Sequence, residues 1–370
     1  MEQDNKELIA CARGAAIFFV VYAHAYFGGH GMAGVNGEFD VISILRHALK
    51  DGLAHASVPA LSVISGWLAA EISHRHTHLG LLVRKARTLV LPMVFWSVVT
   101  LIVYAIVGLV PYDPEFLRSQ MPSSPLAWVN AFFGVSDAPF NGPLYFLRDL
   151  FVIFVIYVTF KKIIVARPVV TFLFGVALYL LEGVVVGHLE VQSVPVLFRP
   201  EVLGLFLIGV SVSKSDLRIR RVLSAPALTA ICFGCLIVVV VAALLMLSDL
   251  GSEPTYQGIS LKIQRAAGVG LLLSAAELIR TRRVGKLMIQ LEPYAFVVFC
   301  SHAPILFVVA QLVGKVTGWS GESLILDVFF FGAPVLVYAL AAGVVLSLRR
   351  VWPGAAEFVT GGRKPMEARR

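Results

Sequence analysis

Apolar runs, most of about 18 to 25 residues, follow one another along this chain, and a fold in water cannot bury so many of them. They fall at about 8–28, 53–72, 89–110, 143–160, 168–186, 199–213, 223–248, 259–279, 291–313 and 324–347. Each is continuous, whereas the strands of a closed β-barrel alternate over about ten residues. With 58% of 370 residues hydrophobic and 15% charged, there is no room for a sizeable soluble domain. The expected fold is therefore all-α, a polytopic transmembrane helix bundle of about ten spans over residues 1–347, followed by a basic tail over 348–370. The sixth run is short and opens with Arg199, Pro200 and Glu201, so it is expected to begin in a protein-lined cavity.

Lys and Arg accumulate on the cytoplasmic side of membrane proteins. Of the 31 basic residues, 22 fall in the loops and ends of one side, and only Arg46, Lys50, Arg118, Arg199 and Lys315 fall in the loops of the other. Both termini are expected to be cytoplasmic, as an even span count requires. The net charge of +8 thus reads as topology. Short basic loops between apolar helices form no nucleic-acid-binding module, though they attract anionic headgroups or an anionic cytosolic substrate.

Arg13, Arg148, Lys262 and Arg265 lie inside spans, where ionisable groups are costly and mark sites of function. The first run reads RGAAIFFVVYAH from Arg13 to His24. At about 100° per residue, eleven steps bring the two side chains within about 20° of one helix face, about 16 Å apart along the axis. One face would then hold a fixed cation and a titratable base. Taken singly, Arg13 also reads as a boundary arginine snorkelling to headgroups, and His24 as an interfacial histidine.

Other polar groups punctuate the runs. Ser65 and Gly66, in VISGWLAAEI, are small residues that let helices approach closely. In RKARTLVLP, Arg84 and Arg87 are three apart, so a helix would project both from one face at the cytoplasmic mouth. Paired guanidinium forks there suit phosphate or carboxylate, and an ordinary positive-inside loop explains them equally. Arg148 and Asp149 are expected to pair, for structure or for chemistry. His302 precedes Pro304, which frees a carbonyl one turn back beside the imidazole. Cys11, Cys232, Cys235 and Cys300 all lie in spans. The CxxC spacing of Cys232 and Cys235 has no second pair and reads as packing. His74, His76 and His78 read as a solvated basic loop, so no metal site is expected.

Five of these features in register resemble the integral-membrane acyltransferase 3 family: Arg13 and His24 at their spacing, ISGWL, the Arg84 and Arg87 pair, GPLYFL, and SHAPIL. The resemblance covers nearly the whole chain. Two positions depart from the pattern, with Trp67 after the serine–glycine motif and Tyr145 where a tryptophan is more common. The resemblance implies an acyltransferase 3-like domain over 1–347 in a bacterial cytoplasmic (inner) membrane. It implies transfer of an acyl group from cytosolic acyl-coenzyme A, a co-substrate rather than a bound cofactor, to a sugar hydroxyl of an exopolysaccharide or lipid-linked glycan. Acetyl is the commoner donor; succinyl stays open, because Arg148, Lys262 or Arg265 could pair with a distal carboxylate.

On that basis His24 is the expected general base and Arg13 the group that stabilises charge on the donor or tunes the histidine. Arg84 and Arg87 are expected to hold the nucleotide end, and Ser65, Tyr145, Arg148 and His302 to contact substrate. Direct transfer and a covalent acyl-enzyme both stay open. The loop from Pro111 to Gly142 is expected to cover the acceptor. Expected partners are membrane lipids, the glycan and polysaccharide assembly proteins. Two other classes fit buried charges: a transporter or flippase that uses them as its path, and a scaffold in which they are structural pairs. No internal repeat supports the transporter.

Overall fold

A computed structural model of the chain describes residues 3–25, 41–72, 77–108, 122–135, 139–188, 199–214, 224–247, 254–317 and 324–362. Residues 26–28 of the first run, His74, Arg75, His76, Arg118, Arg218, Arg220, Arg221, most of the Pro111–Gly142 loop before residue 122, and the tail beyond 362 lie outside the described residues. Among the described residues every regular element is helical.

In chain order these are α1 (Gln3–Val20), α2 (Val41–His47), α3 (His55–Ile72), α4 (His78–Lys85), α5 (Leu91–Gly108), α6 (Pro125–Phe133), α7 (Tyr145–Ala166), α8 (Pro168–His188), α9 (Pro200–Lys214), α10 (Ala225–Leu247), α11 (Pro254–Ile279), α12 (Arg283–Thr317), α13 (Leu324–Val351) and α14 (Pro353–Val359). A helix lies under each of the ten apolar runs. Five helical stretches are long and apolar enough by themselves to cross a membrane: Val41–Ile72, His78–Ile106, Ala225–Met246, Arg283–Val313 and Asp327–Val351. The others are shorter or carry charges, as α1 does with Arg13 and α11 with Lys262 and Arg265.

Two π-helical segments, Ala48–Ala54 and Ala86–Val90, join α2 to α3 and α4 to α5. The second run is consequently longer than 53–72, because the chain is helical from Val41. Arg46 and Lys50, expected in an outer loop, lie on this continuous helix instead.

At the centre, α1 packs against α3, α11 and α12, and α3 packs most extensively on α9. Glycine makes the second contact possible. A Cβ on Gly66 would overlap the Phe206 carbonyl, and one on Gly209 would overlap the Val63 carbonyl. The two backbones touch where each helix has no side chain, as close-packed membrane helices do. Ser65–Gly66 therefore has a packing reason for its glycine. Gly66→Ala should destabilise the bundle by about 1–3 kcal/mol through overpacking. A lowered thermal unfolding midpoint in detergent, with Ala69→Gly as a control elsewhere on α3, checks this.

Candidate active site

Two cavities open along one face of α1. Arg13 and Ile17 line the first, and Val20 and His24 the second, so the face advances by four, three and four residues. The last turn of the first segment tightens into a 3-10 helix at Val21–Ala23, and the His24 N–H donates to the Val21 carbonyl at 3.1 Å. His24 is thereby held at the helix end with its ring facing a protein-walled space.

The second cavity, of about 470 Å³, is also lined by Lys50, Asp51 and His55 from the π-helical segment and α3, and by Tyr145, Arg199, Glu201 and Arg265. Short π-helical segments often occur at functional sites, and this one turns Lys50 and Asp51 into the cavity. Asp51 Oδ2 accepts from His47 Nδ1 at 2.9 Å, and its Oδ1 lies 3.4 Å from His55 Nδ1. The Arg199 guanidinium stacks 3.8 Å over the Tyr145 ring, an attraction strengthened by exclusion of water. Arg265 Nη1 lies 3.6 Å from Glu201 Oε2.

Beneath Arg199 is Asp149, 0% exposed. It accepts from Arg148 Nε at 2.9 Å and Nη2 at 2.7 Å, and from the Arg199 backbone N–H at 3.3 Å. Arg148 also donates to the Phe133 and Gly134 carbonyls. Its donors are thus engaged with protein, and it lines neither cavity. Lys262 donates to the Tyr179 and Leu180 carbonyls at 2.8 and 3.4 Å. Of the three cations considered for a distal carboxylate, Arg265 is the one that lines the His24 cavity.

The first cavity, of about 180 Å³, is lined by Arg13, Ser65, Lys85, Thr88 and Phe296 among others. Arg13 pairs with Glu292 at 2.8 Å. Lys85 Nζ sits 4.0 Å over the Phe154 ring, while Arg84 and Arg87 on either side of it are exposed. Phe299 lines both cavities.

Behind His24 stands His302, fully buried, with ring centroids 5.0 Å apart. Pro304 leaves the Cys300 carbonyl without its helical donor, and Asn141 Nδ2 supplies one at 2.9 Å while donating also to Thr100 Oγ1. The expected residues therefore divide. His24 and Tyr145 share one cavity with His302 behind, Arg13 and Ser65 share the other, and Arg84, Arg87 and Arg148 line neither.

Sequence reading did not pick out Lys50, Asp51, His55, Lys85 or Phe299 as site residues. His47, Asp51 and His55 are spaced four apart, a signal visible in the sequence; Phe299 carries none.

A family model described as an acyltransferase domain matches residues 8–348. The chain is similar to the succinoglycan biosynthesis protein ExoH of Rhizobium meliloti, with 27% identity over 334 residues, 88% of this chain and 84% of that one. No solved structure matches it.

Asp149 supports the Arg199 end of the cavity, and removing it leaves the half-buried Arg148 without its anion. Asp149→Ala should cost about 3–5 kcal/mol, read as a fall in folded yield and thermal midpoint of the detergent-purified protein.

Proposed function

This chain belongs to the acyltransferase 3 family, and on that premise we propose that it is a membrane-embedded O-acyltransferase of exopolysaccharide assembly. It moves an acyl group from acyl-coenzyme A to a sugar hydroxyl of a growing polysaccharide or lipid-linked repeat. One observation carries this reading: an imidazole inside a protein-walled cavity shares a helix face, and the lining residue Phe299, with a second cavity holding Arg13 and Lys85.

The coenzyme end of the donor meets the cationic cavity and the exposed Arg84 and Arg87, which lie within one turn of Lys85 on the same segment. Its pantetheine arm passes the apolar wall and brings the thioester to His24. There a ring nitrogen of His24 takes the hydroxyl proton as the sugar oxygen bonds to the carbonyl carbon. The carbon–sulfur bond then breaks, and the departing thiolate takes that proton back from the imidazolium. The enzyme ends as it began. A positioned base of this kind contributes on the order of 10² to 10⁴ in rate. Arg199 and Tyr145 line the same cavity and can donate to the developing oxyanion.

Acetyl is the simplest acyl group for this site. A second reading, succinyl, is favoured by Arg265 and Arg199, two guanidinium groups lining the cavity that holds the base, and by similarity to a succinoglycan biosynthesis protein.

With purified protein, acyl-coenzyme A and acceptor, thiol release should fall by at least about 100-fold in His24→Ala at unchanged folded yield. Near-parental release would refute the base, and acceptor uptake without bond formation would support a transporter. Arg265→Met separates the two donors. It should lower kcat/KM for succinyl-coenzyme A by about 10- to 100-fold, the loss of one charged hydrogen bond of about 1.5–3 kcal/mol, and leave acetyl-coenzyme A within about twofold. Equal effects on both donors would favour acetyl.

A further inference from the structure

We infer that His302 positions His24, by accepting a hydrogen bond from one His24 ring nitrogen so that the other faces the cavity as the base. This rests on the acyl-transfer reading above. His302 lies on α12 and is fully buried. Its Nδ1 is 2.8 Å from the Phe299 carbonyl and 3.1 Å from the Val298 carbonyl. Carbonyl oxygens only accept, so Nδ1 carries the hydrogen, and in the neutral ring Nε2 is then a lone-pair acceptor. That Nε2 is closed to solvent and has no hydrogen-bond partner among the described residues.

A buried polar atom left in this condition costs about 1–3 kcal/mol, which a donor of the right kind nearby would recover. The His24 ring is that neighbour, at 5.0 Å between centroids with planes inclined by 56°. An N–H···N bond of about 2.9 Å between two imidazole edges, each nitrogen about 1.2 Å from its centroid, gives a separation of about 5 Å. A small rotation of the His24 ring therefore completes the bond without moving a helix.

The contact has a chemical consequence. With one His24 nitrogen committed as a donor to His302, the unprotonated nitrogen is the one left toward the cavity, where Tyr145 and Arg199 also face. When that nitrogen takes the hydroxyl proton, the imidazolium keeps its bond to His302, and the proton leaves on the thiolate. His302 neither gains nor loses a proton in the cycle. It does for His24 what a carboxylate does for the histidine of a hydrolytic triad, without carrying charge.

Two substitutions separate this role from mere packing. Asparagine at 302 places an amide where Nδ1 sits, so it can still donate to the two carbonyls, but it ends short of His24. Glutamine reaches the place of Nε2 and offers an acceptor there. In the full-length protein, His302→Gln should keep kcat for thiol release within about tenfold of the parent, and His302→Asn should lose about 100-fold, with KM for the acyl donor unchanged in both. Equal turnover in the two, or a loss confined to KM, would overturn the proposal.

Nitrogen-15 shifts of the His24 ring in the parent protein give a second measurement that needs no variant to fold. One tautomer is expected, and a mixture of the two would overturn the contact. If the parent releases no thiol from any acyl-coenzyme A, the acyl-transfer reading fails instead, and the tautomer measurement still decides the His24–His302 pairing.

Discussion

Charge carried into an apolar bundle has to be answered where it stands, because no water is there to answer it. For three cations of this protein the answers come from distant parts of the chain. Arg13 on α1 meets Glu292 on α12, Arg46 on α2 meets Asp327 on α13, and Arg265 on α11 faces Glu201 on α9. Each cation has its anion at one position of a neighbouring helix. A slip of one turn, about 5.4 Å, would strand both members of a pair. The pairs thus add to register in a structure whose other contacts are largely apolar.

The two cavities exist within that frame. Along α1 the same face gives Arg13 to one and His24 to the other. Around His24 the charged groups come from five separate segments: the π-helical turn, α3, the entry to α9, α9 itself and α11. Mixed charge on the wall suits a substrate rich in hydroxyls, which can donate to Asp51 or Glu201 and accept from Lys50 or Arg199. An apolar wall would bind the acyl chain alone.

The helical class and the approximate place of the ten long apolar helices were legible from continuous apolar runs, because burial in lipid leaves its pattern on neighbouring residues, whereas the short helices α2, α4, α6 and α14 fall outside those runs. Arg13 and His24 were legible as polar groups in one apolar run, and each lines one of the two cavities. Partners were not. Glu292 and Asp327 are known as partners only once helices far apart in sequence are packed together. Local winding also hid part of the site. The α periodicity that put Arg84 and Arg87 on one face is interrupted by the π-helical turn at Ala86–Val90, and Lys85 between them is the residue that enters the cavity. Likewise Lys50, assigned to a loop by charge counting, sits with Asp51 in a π-helical turn that apolar pattern alone does not reveal.

Among the described residues Phe299 alone lines both cavities, while α3 and α9 meet backbone to backbone and have no room to slide. A passage between them at that ring would open by rotation about two side-chain torsions. Helices rocking against each other would open a continuous water path, and protons would follow it down their gradient. A single turning ring would instead open no further than the narrow arm of a donor such as the one proposed, and the bilayer would keep its electrical resistance.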